Sequence, residues 1–341
     1  MIHRTLLDEL LAHSDWARDQ LLARAADLDA AALDRPFEMG EGSLRATLRH
    51  LWGAERVWLC RWQGADFTPY LDDLKNAALP IPRLAELWRA TGTERAGFLS
   101  GLADSALAGD VTYTDLRGQT HTYPLGGLLL HVCNHGIHHR AQALNMLRHV
   151  QAQPLEPGID YIFTWRDRVD KTPPRVRVES LRDYFAYNDW AQQQVLAAAD
   201  GLTDAQLDRT FAMGEGTLRG TLLHIRFAEQ WWQENWTFGP GKPFPEMPPA
   251  TPFAEIRRLV DETARARRAY LATLSDADLL RSIEVHPMPD VVRHFPLAVT
   301  MIQVCHHGTH HRAQALNMLR HLGAPVPQLD YLRMLQAQTS A

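Results

Sequence analysis

Apolar positions recur at three- and four-residue spacing over residues 5–27 and again over 179–200, the period of a helix with one face on a core. Second helices are predicted to start after Gly42 and Gly216, with Ser43 and Thr217 as N-caps. They run into aromatic-rich stretches holding Trp52, Trp58 and Trp62 in one case and Trp231, Trp232 and Trp236 in the other. A third pair of helices follows Pro82 and Pro252, proline being comfortable in a first turn. Segments 109–123 and 281–295 interleave Thr, Tyr and Val with polar residues and read as extended or looped. A long fourth helix is predicted from about 125 to 150 and from about 297 to 322, and a short helix near Asp160-Tyr161 and near Asp330-Tyr331. Four main helices, each with an apolar stripe, predict an all-α four-helix bundle, and the pattern occurs twice.

The repetition extends to the letters. LDRPFEMGEGSLRATLRHL from Leu33 returns 174 positions later as LDRTFAMGEGTLRGTLLHI from Leu207. VCNHGIHHRAQALNMLRH from Val132 returns 172 positions later as VCHHGTHHRAQALNMLRH from Val304. Such a long period lies far above that of stacked solenoid repeats. The reading is therefore two whole domains, 1–170 and 171–341, joined where Lys171-Thr172-Pro173-Pro174 interrupts any helix. The two copies are expected to pack as a pseudo-dimer within a monomeric chain, around an approximate two-fold axis.

Composition narrows the function classes. Hydrophobic residues at 45% and charged residues at 22% are those of an ordinary globular chain. A net charge of -5 without a basic run argues against nucleic acid as a partner. No stretch is apolar for about 18 residues, so no membrane span is expected. The N-terminal segment lacks an apolar signal-peptide core, and Cys60, Cys133 and Cys305 are too few for a disulfide framework; both point to the cytoplasm. The outlying count is 17 histidines.

His135 and His139 stand four residues apart on the fourth helix, as do His307 and His311, so each pair shares one helix face and both rings can reach one ion. His50 and His224, on the second helices, are the candidate third ligands, leaving open positions for water or substrate. The alternative at these positions is a buried histidine bonded to a backbone carbonyl. His138 and His310 also recur and are expected to pack or hydrogen bond beside the ligands. His131 is matched by Gln303, His306 by Asn134, and His286 and His294 have no counterparts; these are expected to be solvated or to support the ligands. Arg140, Gln142 and Asn145 recur as Arg312, Gln314 and Asn317, suited to orient imidazoles, bind substrate or join helices. Glu55 and Glu229 are expected on a solvated face, and Cys133 and Cys305 as buried small apolar residues.

These segments resemble the DinB-like (YfiT-like) metalloproteins, a superfamily that includes bacillithiol S-transferases and mycothiol-dependent enzymes. The resemblance covers essentially the whole chain as two copies. Its most specific element is the run His135-Gly136-Ile137-His138-His139-Arg140-Ala141-Gln142, repeated from His307 to Gln314. The family commonly has Gly after the Arg; Ala141 and Ala313 are small-for-small changes. The resemblance implies metal triads at His50, His135 and His139 and at His224, His307 and His311. It implies one divalent ion per domain, zinc or nickel foremost, with manganese or iron as further options. The expected activity is transfer of a low-molecular-weight thiol to an electrophilic small molecule, with metal-bound thiolate as nucleophile. The alternatives are a metal-dependent hydrolase using metal-bound hydroxide and a non-catalytic metal-binding stress-response protein.

Overall fold

The computed structural model describes residues 2–115, 117–150, 158–242, 244–245, 248–288 and 290–339. It divides into two compact units, Met1–Ile159 with Asp330–Leu332, and Asp160–Leu329 with Arg333–Ala341.

The helical part of the first unit comprises α1 (Arg4–Ala26), α2 (Ala30–Leu33), α3 (Leu44–Gln63), α4 (Leu71–Lys75), α5 (Ile81–Ser100) and α6 (Leu125–His149). Between α5 and α6 the chain forms an antiparallel hairpin, β1 (Asp110–Thr114) with β2 (Thr120–Pro124), in register Val111↔Tyr123 and Tyr113↔His121. The cap at Ser43 is formed: its hydroxyl accepts from Ala46 N at 3.2 Å, supplying one of the donors that a helix start leaves unpaired. Pro82 lies in the first turn of α5. From Leu125 to Asn134 every residue of α6 is buried, the signature of a central helix, and α6 packs on α1 and α3. Leu48, Leu128 and Leu129 are fully buried there, each contributing roughly 1.5–3 kcal/mol of apolar burial.

The second unit repeats the plan with α8 (Val178–Ala198), α9 (Asp204–Leu207), α10 (Leu218–Phe238), α11 (Phe253–Thr273) and α12 (Leu297–His321). Thr217 caps α10 by accepting from Gly220 N at 2.9 Å. The hairpin here is β3 (Ser282–Met288) with β4 (Val291–Pro296), and its register shifts between Val285 and Met288. α12 packs on α8 and α10. α7 (Tyr161–Asp167), which precedes the second copy in sequence, packs on α12 and belongs to this unit, while α13 (Tyr331–Thr339) begins with residues of the first. The fold is thus mainly α in two halves, the segments read as extended or looped being the two hairpins. Compact units and sequence copies do not coincide at their C-terminal ends.

Candidate metal centres

Helical spacing brings His135 and His139 onto the face of α6 that meets α3, and α3 presents His50 to it. The ligand-capable nitrogens of all three lie within 4.8 Å of one another, and those of His224, His307 and His311 do the same in the second unit. His50 Nε2 stands 3.1 Å from His135 Nε2, and His224 Nε2 stands 3.0 Å from His307 Nε2. Ring-centroid separations within the first triad are 5.0, 4.5 and 4.4 Å; the second repeats them at 4.9, 4.5 and 4.3 Å. Two imidazole nitrogens sharing an ion at about 2.0–2.1 Å are about 2.8–3.4 Å apart for ligand angles between square and tetrahedral, so the residues fit a divalent ion.

The electrostatics agree. Burial, reinforced by the neighbouring imidazoles, holds His135 and His311 well below the ordinary histidine range and His139 at about 2. His307 is lowered to about 4, burial outweighing the Asp160 carboxylate that raises it. Such rings are uncharged at neutral pH and offer lone pairs, the form that a metal takes. Three neutral nitrogen donors do not select among zinc, nickel, manganese and iron.

Neighbouring groups orient the rings. His311 Nδ1–H donates to Gln314 Oε1 at 2.8 Å, which leaves Nε2 as the free lone pair, and Gln314 Nε2 lies 3.1 Å from His310 Nε2. Gln142 Nε2 lies 3.0 Å from His138 Nε2 in the first unit. Thus His138 and His310 stand beside the triads, bonded to the recurring glutamines, and take no place within them. Buried Arg312 donates to Asn188 Oδ1 at 2.8 Å and Thr309 Oγ1 at 3.1 Å, tying α12 to α8. Cys133 and Cys305 are buried as expected.

Several expectations need correction. Glu55 and Glu229 face the interior: Arg95 donates to Glu55 at 2.5 Å and to Asp15 at 2.7 Å, and Arg267 donates to Glu229 at 2.6 Å and also to Asp189. Their burial is possible because an arginine from another helix neutralises each one. For His131 and His306, expected either to be solvated or to support the ligands, burial removes only the first option. His286 and His294 sit on the second hairpin, 2.8 and 3.3 Å from Glu284.

Two carboxylate pairs escaped the sequence reading. Glu41 Oε1 lies 3.8 Å from His50 Nδ1, and Glu215 Oε1 lies 3.7 Å from His224 Nδ1. Repetition of MGEG ahead of each histidine was the available signal. Asp160 is half-buried beside the α12 histidines and accepts from Gln303 Nε2 at 3.0 Å, while Gln303 Oε1 accepts from Ile162 N at 2.9 Å. At the matching place in the first unit, Asp330 Oδ1 lies 3.7 Å from His131 Nδ1. The repeated Asp-Tyr pair was its trace in the sequence.

Beside the first triad lies a cavity of about 400 Å³ whose lining includes His50, His135, Trp58, Phe67, Arg49 and Arg61. Among the described residues no helix is long and apolar enough to cross a membrane. Comparison with known families matches the DinB family pattern to residues 1–166 and again to 177–341. No curated protein and no solved structure matches the chain.

Proposed function

The chain belongs to the DinB family, and from that premise we propose that it is a metal-dependent enzyme joining a low-molecular-weight thiol to an electrophilic small molecule. The observation that carries the reading is the convergence of three uncharged imidazoles from two helices beside a cavity with aromatic walls. His50, His135 and His139 would hold one ion, and His224, His307 and His311 another. A divalent ion held by neutral ligands makes a thiol or water bound to it markedly more acidic.

The chain's own groups supply position and surroundings. Glu41 and Glu215 place a negative charge 3.8 and 3.7 Å from Nδ1 of His50 and His224, which favours the proton there and leaves Nε2 for an ion. Gln314 orients His311 directly by accepting from its Nδ1–H. Trp58 and Phe67 offer apolar surface to the electrophile in the first unit. In the reaction the thiol proton passes to solvent, a sulfur lone pair forms the new C–S bond, and either a halide leaves with its bonding pair or an epoxide C–O bond opens, its oxygen keeping the pair and taking a proton from solvent. No protein nucleophile is needed, since burial pushes the Cys133 thiol up to about 12 and raises the Cys305 thiol well above its ordinary value.

The test is thiol loss over the protein-free rate with an activated aryl halide, in protein loaded with zinc, nickel or manganese. The thiol panel is cysteine, glutathione, bacillithiol and mycothiol. Metal-dependent consumption with at least one thiol, abolished in His50→Ala, supports the reading. Hydrolysis of an activated ester without thiol consumption would replace it with the hydrolase reading, and metal binding without either turnover with the non-catalytic one.

A further inference from the structure

The two triads match closely, but the walls around them do not. In the first unit Arg49 and Arg61 line the same cavity as His50 and His135. Among the described residues neither arginine is in an ion pair, and Arg49 Nη1 is buried with no hydrogen-bond partner. Arg61 Cζ lies 4.7 Å from the ring centroids of both Trp58 and Tyr113, and its guanidinium makes a long 3.4 Å contact to Thr114 O. Leaving a buried guanidinium nitrogen unpaired is costly. Arg49 Nη1 thus lacks an acceptor in this cavity, and Arg61 beside it has only the long contact to Thr114 O. The nearby carboxylates are engaged elsewhere: Glu41 faces His50, Asp330 faces His131, and Asp115 accepts from the backbone of Arg117 and Gln119 and lies 3.0 Å from His121 Nε2.

The second unit lacks this arrangement. Leu223 stands at the position of Arg49, Asn235 at that of Arg61 and Val285 at that of Tyr113. All three are buried, and Asn235 Nδ2 donates to its own helix at Trp231 O, 2.8 Å away. Gly53, whose added Cβ would stand 2.7 Å from Leu74 Cδ2, is replaced by Phe227, and Val57 by Trp231. Phe244 lies against both Trp231 and His224, at ring separations of 6.0 and 6.2 Å.

We infer that the cavity beside the first triad is a binding site for a small ligand carrying an oxyanion, a carboxylate or a phosphate, held by Arg49 and Arg61, and that the second triad has no equivalent. A guanidinium presents a planar fork that matches either oxyanion, and stacking on two rings restricts Arg61 in advance. One chain then binds one such ligand while offering two metal centres. The inference rests on the proposed thiol transfer only for one choice of probe.

The experiment is calorimetric titration of the full metal-loaded chain with glutathione, with succinate, with inorganic phosphate, and with cysteamine, a thiol bearing no oxyanion. Glutathione and at least one of the two thiol-free anions are expected to bind at one site per chain. Arg49→Leu and Arg61→Asn, which install the residues of the second copy, should each weaken that binding by about tenfold. Cysteamine should move by less than about twofold in the same variants. Succinate or phosphate binding names the favoured oxyanion. Salt gives a reading on the unaltered chain: anion affinity should fall steeply as ionic strength rises. Anion affinities that ignore both arginine substitutions and salt, or two equal sites per chain, would overturn the inference. If succinate or phosphate binds through the arginines but no thiol is consumed, the anion site stands and the thiol reading falls. Thiol transfer indifferent to both substitutions gives the opposite result.

Discussion

Arg95 Nη1 donates to Glu55 Oε2 at 2.5 Å in the interior of the first unit, and the same guanidinium reaches Asp15 at 2.7 Å. Removing one member of a buried pair leaves the other as an uncompensated charge, at a cost of about 3–5 kcal/mol. Arg95→Met is therefore expected to lower the stability of the first unit by about that much in denaturant unfolding. The double variant Arg95→Met, Glu55→Leu should recover much of the loss. A single variant within about 1 kcal/mol of the parent would show that the pair is not insulated from water.

Elemental analysis of purified protein should find about two ions per chain if each triad holds one. His139→Ala alone should leave one, and His139→Ala with His311→Ala none. A parent chain that is metal-free and takes up no added zinc, nickel or manganese would end the metal reading.

Protons compete with metal for the same nitrogen lone pairs, so acid strips the sites. The sign follows from the depression of these histidines. A ring lowered from 6.5 to about 4, as at His307, is already deprotonated throughout the interval between those values. Metal should thus stay on the second site through pH 6.5 and be lost as pH falls through about 4. Ion release measured by a chromogenic chelator along a pH series reads this directly. Half-release near 6.5 would mean that the rings titrate as exposed histidines.

All three cysteines are buried, and burial pushes the Cys133 thiol up to about 12. The thiolate is the reactive form. A chromogenic disulfide reagent should count no fast-reacting thiol in the folded chain and three after denaturation. Rapid reaction in native buffer would contradict the described packing.

Legibility in the sequence followed the range of the interaction. The pairing of His135 with His139 was readable because one turn of helix fixes it, and so were the caps at Ser43 and Thr217, whose partners lie three residues away. His50 joined them through repetition rather than geometry. Glu41 was not readable, because its approach to His50 depends on the path of a loop that turns through Gly40 and Gly42 at positive φ. At Gly40 an added Cβ would come within 2.7 Å of Thr47 Oγ1 and 3.2 Å of Gln142 Oε1, so that loop is pressed against the helices of the site. Glu55 was misjudged because its partner Arg95 lies 40 residues further along the sequence, and Asp15, which shares that guanidinium, lies 40 residues before it. A charge with a distant neutralising partner looks, letter by letter, like a solvated one.

The placement of Asp160 in the second unit and Asp330 in the first carries a consequence for inheritance. Each half of the gene encodes a carboxylate that serves the histidines encoded by the other half. A deletion removing either copy would therefore cost the survivor its aspartate as well as its sibling. Drift that inactivates one triad is constrained by the same tie, since the tail of the failing copy is still needed next door. A fused gene of this kind gives selection a reason to keep both halves even where only one of them carries the two cavity arginines.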